Sequence, residues 1–207
     1  MRLRFSKLSG AGNDFILVEK RALGSLSGPV AARRLCPRRF AVGADGLLVV
    51  EKNCLRLSYF NSDGSKAFCG NGARSAAWWM HRQGWAGKSF KLATTAGLLD
   101  VKILGKEVAR LSLPRARGLR QELRLSALGR RWKADFIVVG VPHAVVEVSA
   151  SRLDSFPVEA VGKALRRHPA FGKAGANVNF VAPGRVLKVR TFERGVEGET
   201  LACGSGV

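Results

Sequence analysis

The 207-residue chain is long enough for one large domain or for two lobes of roughly 100 residues, each with its own core. Hydrophobic residues make up 46% and charged residues 24%, which excludes a disordered chain, and no apolar run approaches the roughly 18 residues that cross a bilayer. The net charge of +20 raises the question of nucleic acid, while the N-terminal MRLRFSKLSG shows no export signal, so we predict a cytoplasmic protein without membrane contact.

The first elements along the chain are short strands joined by turns. The segment RLRFSKLSGAGNDFILVEK, residues 2–20, alternates and then becomes apolar, which predicts a strand, a turn at GAGN and a buried strand. Residues 29–40 have the pattern of a basic amphipathic helix that ends near Gly43, and ADGLLVVEK predicts the next strand. LRLSYF, residues 55–60, alternates again, and the following NSDG is typical of a turn.

The hydrophobic period changes to that of a helix from Asn71 onward. The apolar residues at helical spacing are Ala73, Ala76, Ala77 and Met80. Gly84 is a natural C-terminal cap for this helix, and Cys69 therefore lies at its N-terminus. Strand patterns follow in SFKLATTAGLLDVKILGKEVARLSL and DFIVVGVPHAVVEVS. A polar helix near residues 157–168 and two strands in NVNFVAPGRVLKVRTFERG complete the chain.

The positive charge is concentrated between Lys102 and Lys133, a segment that includes LPRARGLRQELRLSALGRRWK. Such a run fits an electropositive binding face or an ordinary solvated surface. The segment contains a single aromatic residue, Trp132, and matches no nucleic-acid-binding motif. We therefore favour a solvated surface and predict no nucleic-acid partner.

The four cysteines form neither a CxxC pair nor a cysteine–histidine cluster with the spacing of a zinc site. We predict no metal and no disulfide framework, because cytosolic thiols stay reduced. A conspicuous cysteine is then a buried apolar residue or a reactive group. Cys36 and Cys54 lack glycine-rich flanks and are predicted to be ordinary residues, whereas Cys69 and Cys203 each begin a Cys-Gly-x-Gly sequence.

The second half of the chain partly repeats the first. LRLSYFNSDGSKAFCGNGA and LKVRTFERGVEGETLACGSGV both run from an alternating strand that ends in Phe, through an acid-bearing turn, to Cys-Gly-x-Gly. A weaker similarity links GNDF, residues 12–15, with NVNF, residues 177–180. The repeat indicates two related lobes that each present one thiol, and we assign them to residues 1–115 and 116–207.

A cysteine at a helix N-terminus is activated, because the helix dipole and the unpaired N–H groups stabilise its thiolate. The same donors can hold a substrate carboxylate. One such site alone suits a thiol nucleophile. Two facing sites suit the inversion of a carbon centre, in which a thiolate takes the α-proton and a thiol returns a proton to the other face. That reaction needs a dry cavity, which a cleft between two lobes provides.

These motifs resemble those of diaminopimelate epimerase, the cofactor-independent family that interconverts LL- and meso-diaminopimelate on the route to lysine and peptidoglycan. The resemblance runs from Phe5 to Val207, through the motifs FSKLSGAGNDF, FNSDG, CGNGAR, PHAVVEV, NVNFV, ERG and ETLACGSG. It implies an α+β fold of two similar lobes, each a strand-rich, barrel-like sheet around a central helix. It also implies a diaminopimelate substrate, no cofactor and a homodimer.

The resemblance implies a role for individual residues as well. Cys69 and Cys203 correspond to the two acid/base thiols of the family. The implied substrate-binding residues are Asn13, Asn61, Gly70, Asn71, Asn177, Glu193, Arg194, Gly204 and Ser205. The two residues after each cysteine supply backbone donors to the reacting carboxylate, and Arg194 forms a bidentate pair with a carboxylate. His143 and Glu193 are expected to tune the thiols.

Three features depart from the family pattern. Val141 stands where many members have an asparagine before Pro-His, which removes one amide contact to the substrate. Gly46 stands where some members have a glutamine. The sequence stops at Val207, where family members continue, so we expect a truncated second lobe. We also expect little activity from this chain alone, because Cys203 lacks the helix that would activate it.

Other interpretations of these residues stay open. Asn13, Asn61 and Asn177 are also typical turn-forming residues, and His143 also fits an ordinary strand-end histidine. A related cofactor-independent racemase with another amino acid as substrate is compatible with Val141. A third hypothesis is a binding module for anions or nucleic acid, in which the second base is disabled.

Overall fold

The computed structural model describes residues 3–206, which divide into two compact units between Pro114 and Arg115. Each unit is built on one strand-rich, curled sheet with a few helices. The fold is therefore of the mixed α+β class that the sequence predicted. Within residues 3–206 the longest helix has 13 residues, and none has the length and apolar character needed to span a membrane.

The first unit contains an eight-stranded sheet in the order β1-β2-β3-β4-β6-β7-β8, with β5 paired to β4. Its strands are β1 (Ser6–Gly10), β2 (Asn13–Glu19), β3 (Gly46–Glu51), β4 (Arg56–Asn61), β5 (Lys66–Ala67), β6 (Ser89–Thr94), β7 (Gly97–Gly105) and β8 (Val108–Leu111). Its helices are α1 (Gly28–Leu35), α2 (Gly70–Arg82) and a 3₁₀ helix at Lys20–Leu23. The predicted strands and the helix after Cys69 are confirmed.

Two local features of the first unit, a hairpin turn and the end of a helix, follow from the residues at these positions. Ala11 and Gly12 connect β1 to β2 with φ angles of 53° and 91°, the left-handed conformation that suits a tight hairpin. Helix α1 ends at Leu35, earlier than the predicted range of residues 29–40. The reason is Pro37, which has no N–H to donate to the preceding turn.

The second unit contains a six-stranded sheet in the order β14-β13-β12-β11-β10-β9. Its strands are β9 (Arg117–Ala127), β10 (Arg130–Val139), β11 (Val141–Glu147), β12 (Asn177–Ala182), β13 (Lys188–Glu193) and β14 (Gly198–Thr200). Its helices within the described range are α3 (Ala150–Leu153), α4 (Val158–Arg166) and a 3₁₀ helix at Pro169–Phe171. The run DFIVVGVPHAVVEVS is split into two strands at Gly140, which has a φ of 73°.

The chain follows the same order of strand pairings in both units. In the first, β2 pairs in parallel with β3, and β3 pairs antiparallel with β4 before the chain reaches Cys69. In the second, β11 pairs in parallel with β12, and β12 pairs antiparallel with β13 before the chain reaches Cys203. The repeated topology corresponds to the repeat in the sequence.

Gly162 on α4 is expected not to tolerate a side chain. A Cβ at this position would lie 2.4 Å from the Cβ atom of Phe192 on β13, so helix and strand approach each other too closely. Alanine favours a helix over glycine by about 1 kcal/mol. We nevertheless expect Gly162→Ala to lower the free energy of unfolding by about 1–3 kcal/mol, because the core becomes overpacked.

Urea unfolding of Gly162→Ala beside Gly87→Ala tests this packing. Apart from its chain neighbours, Gly87 has no atom within 4 Å of an added Cβ, so its substitution is the matched control. We expect the control to change the free energy of unfolding by less than about 0.5 kcal/mol. Equal unfolding midpoints for the two variants would contradict the close approach of α4 and β13.

Candidate active site

The predicted site residues of the first unit meet at one edge of its sheet. Asn13 begins β2, and Asn61 ends β4, where it is the register partner of Gly46 in β3. Because β2 and β3 are parallel and β4 runs opposite to them, these ends lie at the same edge. The N-terminus of α2 reaches this edge, since the Nδ2 atom of Asn71 donates to Oδ1 of Asn13 at 2.8 Å.

Cys69 is the N-cap residue of α2, as the sequence predicted. Its backbone is extended, with φ −134° and ψ 114°, and its sulfur accepts a hydrogen bond from the Gly72 N–H at 3.3 Å. The sulfur therefore occupies the place that a serine or aspartate oxygen takes at most helix N-termini. A backbone donor at the positive end of a helix favours the thiolate over the thiol. The role of Cys69 as an acid/base group stays a prediction.

A polar cluster formed by Lys7, Asp14, Arg38 and Asp45 supports Asn13. The Nδ2 atom of Asn13 donates to Oδ2 of Asp45 at 3.0 Å, which fixes the orientation of the amide. Arg38 donates to Asp14 at 2.8 Å and to Asp45 at 2.6 Å, so one guanidinium joins both carboxylates. This cluster was not predicted from the sequence. The sequence feature that indicates the cluster is an aspartate at the start of each of the two parallel strands, in GNDF and GADG.

The charge balance of this polar cluster favours ionised carboxylates. Burial by itself raises the pKa of Asp14, but the hydrogen bonds from Arg38 and Lys7 outweigh burial and hold that pKa well below its usual range. The same hydrogen bond from Arg38 to Asp14 raises the pKa of the guanidinium. Asp14 is therefore a carboxylate at every pH at which the protein is expected to work.

Asn61 is buried and closes the turn after β4. Its Nδ2 atom donates to Oγ of Ser65 at 2.9 Å, and its backbone N–H donates to the Ser65 carbonyl at 2.9 Å. The turn-forming role that the sequence left open is therefore observed. Its role in substrate binding stays a prediction.

Gly46 lies against an aromatic ring. A Cβ at Gly46 would lie 2.4 Å from Cε2 and 2.7 Å from the hydroxyl oxygen of Tyr59, which is buried. The ring of Tyr59 also packs edge-on against Phe15, with 6.1 Å between the ring centroids. The volume that a glutamine side chain would need at position 46 is therefore filled by Tyr59.

The predicted residues of the second unit also meet at one edge of their sheet. His143 in β11 is the register partner of Asn177, the first residue of the parallel strand β12. The Oδ1 atom of Asn177 accepts a hydrogen bond from the backbone N–H of Arg194 at 2.8 Å. Glu193 ends β13 at the same edge, directly before Arg194. Asn177 thus holds the turn that carries the predicted acid and guanidinium.

Cys203 is buried and lies in a hydrogen-bonded group with Ser205 and His143. Its sulfur lies 3.9 Å from Oγ of Ser205, and that oxygen lies 3.1 Å from Nε2 of His143. The last glycine of the second Cys-Gly-x-Gly sequence permits this approach. A Cβ at Gly206 would lie 2.2 Å from Oδ1 of Asn179 and 3.1 Å from Nδ1 of His143.

His143 is fully buried, and its environment keeps it neutral. Burial, and after it the positive charge of Arg194, lowers the pKa of His143 to about 4. At neutral pH the ring therefore carries one proton and can both donate and accept one hydrogen bond. A neutral histidine next to a thiol acts as a hydrogen-bonding group rather than as a countercharge.

Asn179, a buried neighbour of His143, was not among the site residues predicted from the sequence. Its Nδ2 atom lies 3.2 Å from Nδ1 of His143, and its Oδ1 atom accepts from the Thr191 hydroxyl at 2.9 Å. The signal was the alternation in NVNF, since residues 177 and 179 point to the same side of β12. A second asparagine on the same strand face as a predicted site residue was therefore the feature that indicated Asn179.

The other two cysteines lie where ordinary residues were expected. Cys36 is buried, and burial raises the pKa of its thiol to about 11, so it is protonated at neutral pH. Cys54 is exposed in the turn between β3 and β4. Within residues 3–206, no three His, Cys, Asp or Glu side chains are grouped as metal ligands would be.

Known proteins are similar to this chain in sequence. The family model for diaminopimelate epimerase matches residues 5–111. The diaminopimelate epimerase of Hydrogenobaculum sp. is 38% identical over 218 residues, which cover 97% of this chain and 78% of that protein. The enzyme of the same name from Archaeoglobus fulgidus is 36% identical over 225 residues, covering 100% of this chain and 79% of that protein.

Solved structures with low sequence identity share the fold. A hydroxyproline epimerase from Agrobacterium vitis superposes with a TM-score of 0.67 at 15% identity, over 97% of this chain and 73% of that chain. A phenazine biosynthesis protein of the PhzF family from Bacillus anthracis gives 0.65 at 14% identity, over 98% and 75%. The family match and the identity to the two relatives lead to one conclusion: the chain belongs to the diaminopimelate epimerase family.

Proposed function

We propose that this chain epimerises LL-diaminopimelate to meso-diaminopimelate without a cofactor, a step that supplies lysine and peptidoglycan precursors. One observation carries the proposal. In each of two topologically matching units a Cys-Gly-x-Gly sequence follows the central strands: Cys69 caps α2 two residues before the buried Asn71, and Cys203 is linked through Ser205 to the buried His143. Inversion by two bases needs one acid/base group on each face of the α-carbon, and the repeat supplies two thiols.

The reaction needs only proton transfers at one carbon. One cysteine, as thiolate, removes the α-proton, and the other, as thiol, gives its proton to the opposite face of the α-carbon. After one turnover the first cysteine is the thiol and the second is the thiolate, so the enzyme runs in both directions. We assign these roles to Cys69 and Cys203. No redox step is involved, and the carbanion-like transition state is stabilised by fixed donors.

The substrate ligands follow from the same assignment. Gly70 and Asn71 in the first unit, and Gly204 and Ser205 in the second, are proposed to donate their N–H groups to the reacting carboxylate. The residues proposed to bind the remaining polar groups of the substrate are Asn13, Asn61, Asn177, Glu193 and Arg194. Support comes from the burial of the three asparagines and from their position at the site edge of each sheet.

A related racemase with another amino acid as substrate is the second candidate. Two features favour it: Val141, nearly buried at the start of β11, offers no amide, and Tyr59 fills the space beside Gly46. Both make the site edges less polar than in a site with asparagine and glutamine at these positions. A smaller or more apolar substrate would fit such edges.

Exchange of the α-proton in heavy water tests the proposal. The chain is incubated with LL-diaminopimelate, and in parallel with proline, hydroxyproline and glutamate, and the products are followed by NMR. We expect slow formation of meso-diaminopimelate with one deuterium at the inverted carbon, in keeping with the low activity expected above, and no exchange in the other amino acids. Exchange in another amino acid alone would favour the second candidate, and exchange in none would contradict both.

Three further expectations stay predictions. These are the homodimer that the family resemblance implies, the lack of a nucleic-acid partner and the location in the cytoplasm. Arg120 and Arg130 of the basic segment lie over the rings of Phe136 and Trp132, at 4.2 Å and 5.2 Å from the ring centroids. These guanidinium groups pack against the second unit's own surface, which favours a solvated face over a nucleic-acid site.

A further inference from the structure

Both ring nitrogens of His143 have a defined neighbour. Nδ1 lies 3.2 Å from Nδ2 of Asn179, and Nε2 lies 3.1 Å from Oγ of Ser205. The ring is fully buried, so these two contacts decide its protonation pattern. A neutral imidazole has one N–H donor and one acceptor nitrogen, and the neighbours determine which is which.

The amide of Asn179 can take only one orientation. Its Nδ2 atom lies 3.3 Å from the carbonyl oxygen of Ala144, and a carbonyl only accepts hydrogen bonds. A flipped amide would place its oxygen against that carbonyl and leave two buried acceptors in contact. In the observed orientation Oδ1 accepts from the Thr191 hydroxyl at 2.9 Å. The second hydrogen on Nδ2 is therefore directed at His143, whose Nδ1 atom has to accept it.

The direction of the remaining bonds follows from this. With Nδ1 as acceptor, the single ring proton lies on Nε2 and is donated to Oγ of Ser205 at 3.1 Å. The Ser205 hydroxyl proton is then available for the sulfur of Cys203, 3.9 Å away. All four bonds, from Thr191 to Cys203, thus point the same way, and aligned hydrogen bonds strengthen one another.

We propose that Asn179 is a positioning residue that holds His143 in the Nε2-protonated form, so that Ser205 donates a hydrogen bond to the sulfur of Cys203. Asn179 acts through His143 and Ser205 and does not touch the reacting atoms. Donation to the sulfur favours the thiolate, which is the form that removes the α-proton. The catalytic consequence rests on the proposed function, whereas the protonation pattern of His143 does not.

The other two histidines of the chain serve as internal references. Nδ1 of His81 lies 3.0 Å from the carbonyl oxygen of Ala86, so His81 is protonated on Nδ1 when neutral. Nδ1 of His168 accepts from the Ala170 N–H at 3.2 Å, so His168 carries its proton on Nε2. Protonated and unprotonated ring nitrogens differ widely in ¹⁵N chemical shift. One spectrum of protein labelled with ¹⁵N-histidine therefore contains both patterns.

The experiment records this spectrum for the whole chain at neutral pH, with the His143 signals assigned by His143→Gln. We expect His143 to show a protonated Nε2 and an unprotonated Nδ1, opposite to His81. In Asn179→Asp, the carboxylate can only accept, so a proton is expected on Nδ1. In Thr191→Val, the Ala144 carbonyl still orients the amide, so the wild-type pattern is expected.

Kinetics with diaminopimelate supply the second measurement. We expect Asn179→Asp to lower kcat by about tenfold or more while KM changes by less than about twofold, since a wrong tautomer impairs the chemical step rather than binding. A wild-type His143 protonated on Nδ1 would overturn the proposal, even if the variants do not fold. A changed tautomer in Asn179→Asp with an unchanged kcat would overturn the positioning role. A wild-type enzyme inactive on diaminopimelate, with the expected tautomer, would refute the proposed function instead.

Discussion

Cys69→Ala is expected to slow the epimerisation of diaminopimelate by about a thousandfold or more. The loss of a positioned acid or base removes a factor of about 10²–10⁴ from the rate of proton transfer. In the proposed two-thiol mechanism each turnover needs both cysteines, so Cys203 alone is not expected to complete the inversion. The rate is measured as the conversion of the LL to the meso isomer by stereospecific chromatography.

The same variant distinguishes a two-base from a one-base mechanism. With only Cys203 left, at most one of the two stereoisomers is expected to exchange its α-proton for deuterium, and it should do so with retention of configuration. Cys54→Ala is the matched control, because Cys54 is exposed in a turn and its substitution should leave the rate unchanged. Full epimerisation by Cys69→Ala would show that this thiol is not a required base.

Asp14→Asn is expected to lower the free energy of unfolding by about 2 kcal/mol at neutral pH. Asp14 accepts hydrogen bonds from Arg38 at 2.8 Å, from Lys7 at 2.8 Å and from the Asp45 N–H at 3.0 Å. An asparagine at this position would have an NH2 donor in place of one carboxylate oxygen. That donor would face Arg38 or Lys7, which need an acceptor. The expected loss in the free energy of unfolding is no larger, because the side chains of Arg38 and Lys7 are 58% and 40% exposed and solvent screens their charges.

The pH dependence of stability provides the test of the charge on Asp14. Its pKa is lower in the folded than in the unfolded chain, so its stabilising contribution is complete above about pH 4 and is lost as the pH falls further. Urea unfolding from pH 7 to pH 3 should show a smaller acid loss in Asp14→Asn than in the wild type.

An exposed ion pair provides the matched control for that series. Asp100 pairs with Lys91 at 2.8 Å, but its side chain is 71% exposed. Asp100→Asn is expected to change the free energy of unfolding by less than about 0.5 kcal/mol. Equal losses for Asp14→Asn and Asp100→Asn at neutral pH would contradict the structural role of the polar cluster around Asp14.

The local sequence pattern predicted the elements that are rich in apolar residues. β2 and β3 contain continuous apolar runs, α2 has apolar residues at helix period, and the structure confirms all three. β9 was not predicted, because most of its residues are exposed and the run was interpreted from its positive charge, whereas its apolar alternation is confined to Leu123, Leu125 and Ala127 at its end. Its strand conformation comes from pairing with β10, a tertiary contact that a local pattern does not contain.

The site was predictable only in part for the same reason. The position of Cys69 follows from the helix period that begins beside it. The pairing of Asp14 with Arg38 and Asp45 depends on the parallel neighbours β2 and β3, which lie about thirty residues apart in sequence, and only the aspartate at the start of each strand indicates it locally. Asn179 was predictable in part. The sequence pattern indicated the face of β12 on which it lies, but not its contact with His143.

Because Gly46 and Tyr59 are in close contact, a substitution at one of these positions depends on the residue at the other. Any side chain at position 46 needs the volume that the aromatic ring now holds, so a smaller residue has to appear at position 59 first or at the same time. A single exchange at position 46 passes through an overpacked protein, whereas a reduction at position 59 passes through a cavity. The order of the two steps therefore decides which route keeps the protein folded.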